Sequence, residues 1–175
     1  MNLTPKMLNG EPGILDQIFK LRVEAWDKSK CSYFMNKNLY PDGFSDDLDS
    51  TATHFYIEDQ GKVVGCVRRN ELDSLSGFKD GKSFECFDIP SGRFIFYSKI
   101  AVHPDYQHKH LAVSLGSEVV KGFHESGVDF GLTLVHLKGF AEKFGFKLLG
   151  DTKMGTSDNN ISIKAYILFP FRDKL

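Results

Sequence analysis

The stretch from residue 93 to residue 135 restricts the fold of this chain most. It opens with RFIFYSKIAV, an almost continuously apolar segment rich in aromatic and β-branched residues, which is typical of a buried strand. A polar turn, HPDYQHKH, follows at 103–110. Apolar residues then recur at helical spacing: Leu111, Leu115, Val119 and Phe123. A second apolar segment, DFGLTLV, completes a pattern that predicts two parallel strands joined by a helix.

The rest of the chain supplies a helix, a hairpin and further αβ elements. Residues 11–30 predict a first helix, and two strands, 54–59 and 62–72, flank the hairpin signal Gln60-Gly61. The Gly- and Phe-containing loop 73–92 is long enough to be a lid or binding loop. A short helix at 136–145 and a final strand at 161–170 follow. We therefore predict one domain over 1–175, an α/β (α+β) fold with a mixed sheet around a central βαβ unit.

Composition excludes several classes of function. The 22 Lys and Arg residues nearly balance 23 Asp and Glu residues, which argues against a nucleic-acid or membrane partner. The three cysteines are far apart and form no CxxC pair, which favours reduced thiols and a cytoplasmic location. The N-terminus lacks the features of a secretion signal, and no apolar run approaches the roughly 18 residues that cross a bilayer.

The polar turn invites three interpretations. In a βαβ unit, the turn amides and the N-terminus of the following helix form an anion site, which suits a pyrophosphate-bearing ligand. A metal site formed by His103, His108 and His110 is the second interpretation, but the spacing is not that of a structural zinc site. In the third, the turn is structural and its histidines are simply solvated. We expect no metal.

The segment IAVHPDYQHKHLAVSL resembles motif A of the GCN5-related N-acetyltransferase (GNAT) superfamily. Gln107 matches the first conserved position of that motif and Ala112 the last, whereas His110 stands where glycine is expected. A second motif, an aromatic residue followed by EK-x-GF, resembles FAEKFGF at 140–146. The two motifs have the expected order and spacing, and the resemblance covers roughly residues 14–170.

The resemblance implies a mostly antiparallel sheet and an acyl-CoA co-substrate, with acetyl-CoA the first choice. The pantetheine arm would lie along the fourth strand, and the turn amides would hold the pyrophosphate. A strand amide near Ile100 would polarise the thioester carbonyl. The implied cofactor-binding residues are Ile100, Ala101, Val102, Gln107, His108, Lys109, His110, Leu111, Ala112 and Val113. A small-molecule or peptide amine would attack the acyl group directly in a ternary complex.

The proton-transfer groups of many relatives are missing. Ala141 stands where relatives place a tyrosine, and residues 93–100 contain no acidic residue that could act as a base. Tyr97, Ser98 and His136 are the candidate substitutes. His136 is preferred, because an unperturbed imidazole titrates near neutral pH. The alternative for His136 is a purely structural position.

The first third of the chain resembles a GNAT subgroup that includes acyl-homoserine-lactone synthases. The shared pattern is an arginine, an aromatic residue, paired aspartates and G-x-x-R. It implies an acceptor site built from one ionic cluster: Arg22, Trp26, Asp46 or Asp47 (we favour Asp47), Asp49 and Arg68. Alternatively, these charges only fasten the first helix to the hairpin.

A non-catalytic acyl-CoA-binding or regulatory module is the competing function, favoured by the missing tyrosine and glutamate and by His110. The oligomeric state stays open, although the apolar final strand could serve a homodimer.

Overall fold

The structure, a computed structural model, describes residues 3–27, 29, 32, 35–156 and 159–170. The helices and strands of this part are β1 (Lys6–Met7), α1 (Ile14–Asp27), β2 (Thr53–Asp59), β3 (Lys62–Leu72), β4 (Phe94–Val102), α2 (Leu111–Val119), β5 (Phe130–Val135), β6 (Lys147–Thr156) and β7 (Asn159–Leu168). Short 3-10 helices lie at Asp47–Thr51, Leu75–Gly77, Lys79–Phe84, Pro104–Tyr106, Phe123–Glu125 and Ala141–Phe144.

The chain divides into two compact units. Unit 1 comprises Met1–Arg69 and Lys99–Val119, and unit 2 comprises Asn70–Ser98 and Val120–Leu175. The strands β3 and β4 each continue from one unit into the other. The single domain predicted over 1–175 stays a prediction.

Unit 1 is an antiparallel sheet covered by α1. β1 pairs with β2 and β2 pairs with β3, and β4 follows β3 in the strand order. One core cluster joins the helix to the sheet: Ile14, Ile18, Leu21, Ala25, Tyr56, Val63, Cys66 and Ala101. Burying a large apolar side chain contributes about 1.5 to 3 kcal/mol, so this face of α1 fixes the helix on the sheet.

The predicted strand–helix–strand connection is present as β4, α2 and β5. β4 and β5 pair in parallel, from Phe94 opposite Phe130 to Tyr97 opposite Thr133. Inside unit 1, α2 approaches β3 closely, since a Cβ atom built on Gly65 would lie 3.1 Å from Cδ1 of Leu115.

The strand order within unit 2 is β4-β5-β7-β6. β5 and β7 pair antiparallel, as do β7 and β6. The mixed, mostly antiparallel sheet is thereby confirmed. Aromatic rings fill much of its core, and the Phe94 and Phe130 rings stack with centroids 5.2 Å apart.

The long loop 73–92 belongs to unit 2 and packs on other residues of that unit. The Phe78 ring lies 4.9 Å from the Phe96 ring, measured between centroids. The Thr152 hydroxyl donates a hydrogen bond of 2.7 Å to the carbonyl oxygen of Ser83. These contacts anchor the loop through both ring packing and hydrogen bonding, and its role as a lid stays a prediction.

Two elements differ from the sequence-based expectations. β6 was not expected, because Gly150 interrupts its pattern at a register shift, where φ is +159°. The prediction of a helix at 136–145 is wrong. Only the 3-10 helix Ala141–Phe144 forms, between Gly139 and Gly145, whose φ values are +78° and +87° and end a right-handed helix.

Two further expectations concerned the state of the cysteine thiols and the absence of a membrane-spanning segment. Cys66 is a buried thiol and Cys86 an exposed one, whereas Cys31 lies outside the described residues. Burial raises the pKa of the Cys66 thiol to about 11, outweighing the lowering effect of nearby Arg22. Within the described residues, no helix has the length and apolar character needed to cross a membrane.

Candidate active site

The polar turn between β4 and α2 holds two histidines in the left-handed conformation. The φ angle is +63° at His108 and +60° at His110, values that are uncommon for residues other than glycine. His110 thus keeps the backbone shape that a glycine would adopt easily at this place. Its carbonyl oxygen accepts from the Ser114 amide at 3.0 Å, so α2 begins directly after it. The first amides of a helix lack acceptors within the helix, and together with its dipole they favour an anion.

The residues of the turn and of the start of α2 that are expected to bind the cofactor differ in their exposure to solvent. Four turn residues are exposed: Gln107, His108, Lys109 and His110. Leu111 is buried, and Ala112 and Val113 are partly buried in the first turn of α2. A ligand would therefore meet the turn side chains and the helix N-terminus before it met the apolar core.

Two contacts join the same turn to the β2–β3 hairpin. The Tyr106 hydroxyl donates a hydrogen bond of 2.6 Å to Oδ2 of Asp59, and this bond raises the pKa of Tyr106. Nζ of Lys62 lies 2.8 Å from Nε2 of His103. The Lys109 ammonium lies 4.4 Å from the centroid of the Tyr106 ring, so Tyr106 also supports the middle of the turn.

β4 contains a third left-handed residue, Lys99, where φ is +57°. A lysine in this conformation inside a strand is strained, and such irregularities change the direction of neighbouring peptide groups. The residues that follow are those expected to line the pantetheine arm: Ile100, Ala101 and Val102. Of these, Ala101 belongs to the core cluster of unit 1.

A buried ionic network connects α1, β3 and the 3-10 helix Asp47–Thr51. The Arg22 guanidinium donates two hydrogen bonds of 2.9 Å to the two carboxylate oxygens of Asp49. Nη1 of Arg68 lies 3.0 Å from Oδ1 of Asp49, and the Arg68 guanidinium also donates to the carboxylate of Asp46. Both guanidiniums are fully buried. Asp49 therefore joins the two arginines.

Burial and charge act in opposite directions on the pKa values of this network. Burial alone would raise the pKa of Asp49, but the hydrogen bonds and charges of Arg22 and Arg68 outweigh it and lower the pKa to about 2. The pKa of Asp46 is lowered in the same way, against burial, by Arg68 and Lys99. Burial is also the main cause of the lowered pKa of His54, and Arg22 adds to it. The carboxylates thus stay ionised and His54 favours its neutral form.

Only the outer part of the network reaches solvent. The Asp46 side chain is 31% exposed, and Nζ of Lys99 lies 3.4 Å from its Oδ2. The same ammonium lies 5.0 Å from the Phe44 ring centroid. The Asp49 side chain is only 5% exposed. A molecule approaching from solvent would therefore meet Asp46 and Lys99, and the arginines would act through them.

Two residues expected in this cluster lie elsewhere. Asp46 provides the second carboxylate, whereas Asp47 is exposed and begins the 3-10 helix. Trp26 packs against the apolar core of unit 1, because its face of α1 points toward that core. Lys99 and His54 were missed. For Lys99 the only available signal was its isolated position in the apolar strand 93–102, and the sequence offered no signal for His54.

The candidate proton-transfer groups are all in unit 2. Tyr97 is buried in β4, with its ring packed edge-on against Phe146 at 5.6 Å. Ser98 follows it and is half-buried, and His136 is exposed directly after β5. Ala141 is buried, so a tyrosine there would have to displace packed neighbours.

The described residues contain no group of three or more His, Cys, Asp or Glu side chains suited to a metal ion.

We predict that Asp49→Asn destabilises the protein. Removing one member of a buried ion pair leaves unpaired charge and costs about 3 kcal/mol or more. Asp49 has a lowered pKa, so its contribution is present above the ordinary pKa of an aspartate and is lost as pH falls toward 2. Urea unfolding at several pH values should show lower stability at neutral pH and a shallower acid loss than in the wild type. Asp47→Asn, an exposed change in the same 3-10 helix, is the control. Equal stability of the two variants would contradict the prediction.

Comparisons with known proteins bear on the family and the fold of the chain. The sequence model of the Acetyltransferase (GNAT) family matches residues 15–146. No curated protein sequence matches the chain significantly. The structure of BjaI, a CoA-dependent acyl-homoserine lactone synthase, with SAM and isopentyl-CoA is similar, with a TM-score of 0.71 and 16% identity over 97% of this chain and 84% of that one.

Two acetyltransferase structures are also similar. A GNAT-family acetyltransferase from Streptococcus agalactiae has a TM-score of 0.64 and 15% identity over 98% of this chain and 100% of that one. Arabidopsis thaliana NAA60, in complex with a bisubstrate analogue, has a TM-score of 0.61 and 12% identity over 96% of this chain and 99% of that one. At these identities the structures establish the fold, and the sequence match establishes the family: the chain belongs to the acetyltransferase (GNAT) family.

Proposed function

We propose that this protein is an acyl-CoA-dependent N-acyltransferase that transfers acetyl from acetyl-CoA to a primary amine on a small molecule or peptide. The observation that carries the proposal is the shape of the turn before α2, where His108 and His110 adopt the left-handed conformation. Family membership and the CoA-dependent neighbour BjaI support an acyl-CoA co-substrate. The free thiols of Cys66 and Cys86 favour a cytoplasmic setting.

In this proposal the turn and the start of α2 bind the pyrophosphate of CoA. The amides from His108 to Val113 donate hydrogen bonds to it, and the exposed Lys109 adds positive charge. The pantetheine arm lies along β4 from Val102 toward Ile100. The left-handed Lys99 then sets the direction of the next amide, that of Ile100, toward the thioester oxygen.

CoA and acetyl-CoA should raise the melting temperature of the wild-type protein, because a ligand that binds only the folded state stabilises it. Ala112→Glu should abolish this rise, since it places bulk and negative charge where phosphate would bind. The new carboxylate lies in the first turn of α2, which it should not destabilise. Ser117→Glu, an exposed change later in the same helix, should retain the rise. An unchanged rise in Ala112→Glu would place the CoA site elsewhere.

The reaction needs one proton acceptor. The amine nitrogen attacks the thioester carbonyl carbon, an amide bond forms, the C–S bond breaks, and CoA leaves as a thiolate. The substrate ammonium gives one proton to a base before the attack, which frees the nitrogen lone pair, and the second proton that the nitrogen loses as the amide forms passes through solvent to the departing thiolate. We assign the base to His136, because its imidazole is exposed and histidine is the side chain that most often acts as a general base.

His136→Ala should lower kcat about 100-fold with little change in the KM for acetyl-CoA. Steady-state release of free thiol gives both parameters. Tyr97→Phe keeps the packed ring and Ser98→Ala keeps the strand, so these two variants test the other candidates. If either of them loses the activity and His136→Ala keeps it, the base is reassigned to that residue.

On the acceptor side, we assign Asp46 to the substrate ammonium. It is the more exposed carboxylate of the ionic network, and its lowered pKa keeps it charged. On its buried side the Asp46 carboxylate contacts Arg68, which is joined through Asp49 to Arg22. Lys99 lies beside it.

Asp46→Asn should raise the acceptor KM about tenfold or more and leave CoA binding unchanged, since a lost charged contact is worth about 1.5 to 3 kcal/mol. Asparagine is also a good N-cap, so the 3-10 helix that Asp46 caps should persist. Asp47→Asn is the matched variant and should leave the acceptor KM unchanged. If Asp47→Asn raises it instead, the role returns to Asp47.

A non-catalytic acyl-CoA-binding module is the second candidate, favoured by Ala141 at the position of the expected tyrosine. The two functions separate in one assay. CoA binding without thiol release across a panel of amines would establish the module, and turnover with any of them would establish the enzyme.

A further inference from the structure

The turn before α2 is strained, so some contact must hold its shape. Left-handed conformations at non-glycine residues cost on the order of 1 kcal/mol each, and this turn contains two, at His108 and His110. Such conformations persist only where neighbouring structure holds them in place. The neighbours of the turn are therefore candidates for residues that prepare it for a ligand.

The β2–β3 hairpin supplies those neighbours. Asp59, the last residue of β2, accepts the 2.6 Å hydrogen bond from the Tyr106 hydroxyl. Lys62, the first residue of β3, lies 2.8 Å from the ring of His103. We call these two contacts the hairpin clamp.

The hairpin is a rigid support for this clamp. Asp59 and Lys62 pair directly across a two-residue loop, Gln60-Gly61, in which φ is +51° and +80°. Positive φ at both loop positions is typical of the tight turn that best matches strand twist. The backbone of Asp59 is consequently fixed by strand pairing at the point from which its carboxylate reaches Tyr106.

We propose that Asp59 and Tyr106 are positioning residues that hold the turn in its anion-binding shape before CoA binds. The inference rests on the proposed function and extends it to residues outside the CoA-binding set. A phenol that donates to a carboxylate makes a strong, charge-assisted hydrogen bond, and Tyr106 also lies beneath Lys109. When the Asp59–Tyr106 contact of the clamp is removed, only a fraction of molecules keeps the competent turn, and the apparent affinity falls by that fraction.

The test measures the Kd of CoA by calorimetry on the full chain. Tyr106→Phe removes only the hydroxyl and keeps the ring beneath Lys109, and Asp59→Ala cuts the same bond from the other side. We expect each to weaken CoA binding about tenfold, the effect of losing one charged hydrogen bond. The double variant should be no weaker than either single one, because both remove the same contact.

Glu58→Gln is the matched control. It breaks the exposed Lys6–Glu58 ion pair one residue before Asp59 and leaves the clamp intact, so its Kd should equal that of the wild type. Melting temperatures of all variants separate a loss of affinity from general destabilisation.

A glycine at position 110 tests whether the clamp acts by positioning the strained turn or only by stabilising the fold. Glycine adopts a φ near +60° without the penalty that histidine carries. His110→Gly should therefore restore most of the affinity lost in Tyr106→Phe. A melting temperature lowered by the missing clamp should not recover to the same extent.

Three outcomes would overturn the inference. Unchanged CoA affinity in Tyr106→Phe and Asp59→Ala, with or without a lower melting temperature, would make the clamp a structural brace only. Lost affinity that His110→Gly fails to restore would show that the clamp does not act through the strained turn. A wild-type protein that does not bind CoA at all would overturn the proposed function, and this inference with it.

Discussion

The bidentate ion pair between Arg22 and Asp49 is the interaction on which the arrangement of unit 1 depends. A fully buried guanidinium is tolerable only when its hydrogen bonds are met by a charged acceptor, and Asp49 meets two of them at 2.9 Å. Because Asp49 also contacts Arg68, one carboxylate positions α1, a 3-10 helix and β3 together. His54 must stay neutral beside them, since a further buried positive charge would have no additional carboxylate in this network.

Backbone strain is concentrated where the chemistry is proposed. Among the described residues, the non-glycine positions with positive φ are Gln60, Lys99, His108 and His110. Lys99 and the two histidines lie along β4 and the turn proposed to bind CoA. Gln60 lies at the tip of the hairpin that supports that turn. Strain is costly, so its clustering in one segment and in the hairpin beside it is consistent with the proposed binding role.

The sequence predicted the fold where periodicity and turn signals agreed. The β3 strand, the Gln60-Gly61 hairpin and the parallel β4–β5 pair all followed from local patterns. β6 was missed because Gly150 breaks its apparent pattern, and the 136–145 helix was predicted wrongly because Gly139 and Gly145 adopt left-handed conformations that limit it to one short turn. Local pattern reading is weakest where glycine ends one element and starts another.

The candidate site could be anticipated only in part. Motif spacing identified Arg22, Asp49 and Arg68, which the structure brings together. It favoured Asp47, whereas Asp46 is the residue that joins the network, because adjacent residues differ in direction only once the 3-10 helix has formed. Lys99 could not be assigned either, since its contact with Asp46 depends on a left-handed residue inside a strand.

The charges around Asp46 also bear on how an acceptor would react. A carboxylate attracts an ammonium ion, but it also stabilises the protonated form and so opposes the loss of the proton that attack requires. Arg68 and Lys99 both lie close to this carboxylate and reduce its pull on a further cation. Their presence therefore favours release of the proton after binding. Because the pKa of Asp46 is itself lowered, it is a poor proton acceptor at neutral pH. Binding of the ammonium and removal of its proton are for this reason better assigned to different residues, the first to Asp46 and the second to a group that titrates near neutrality.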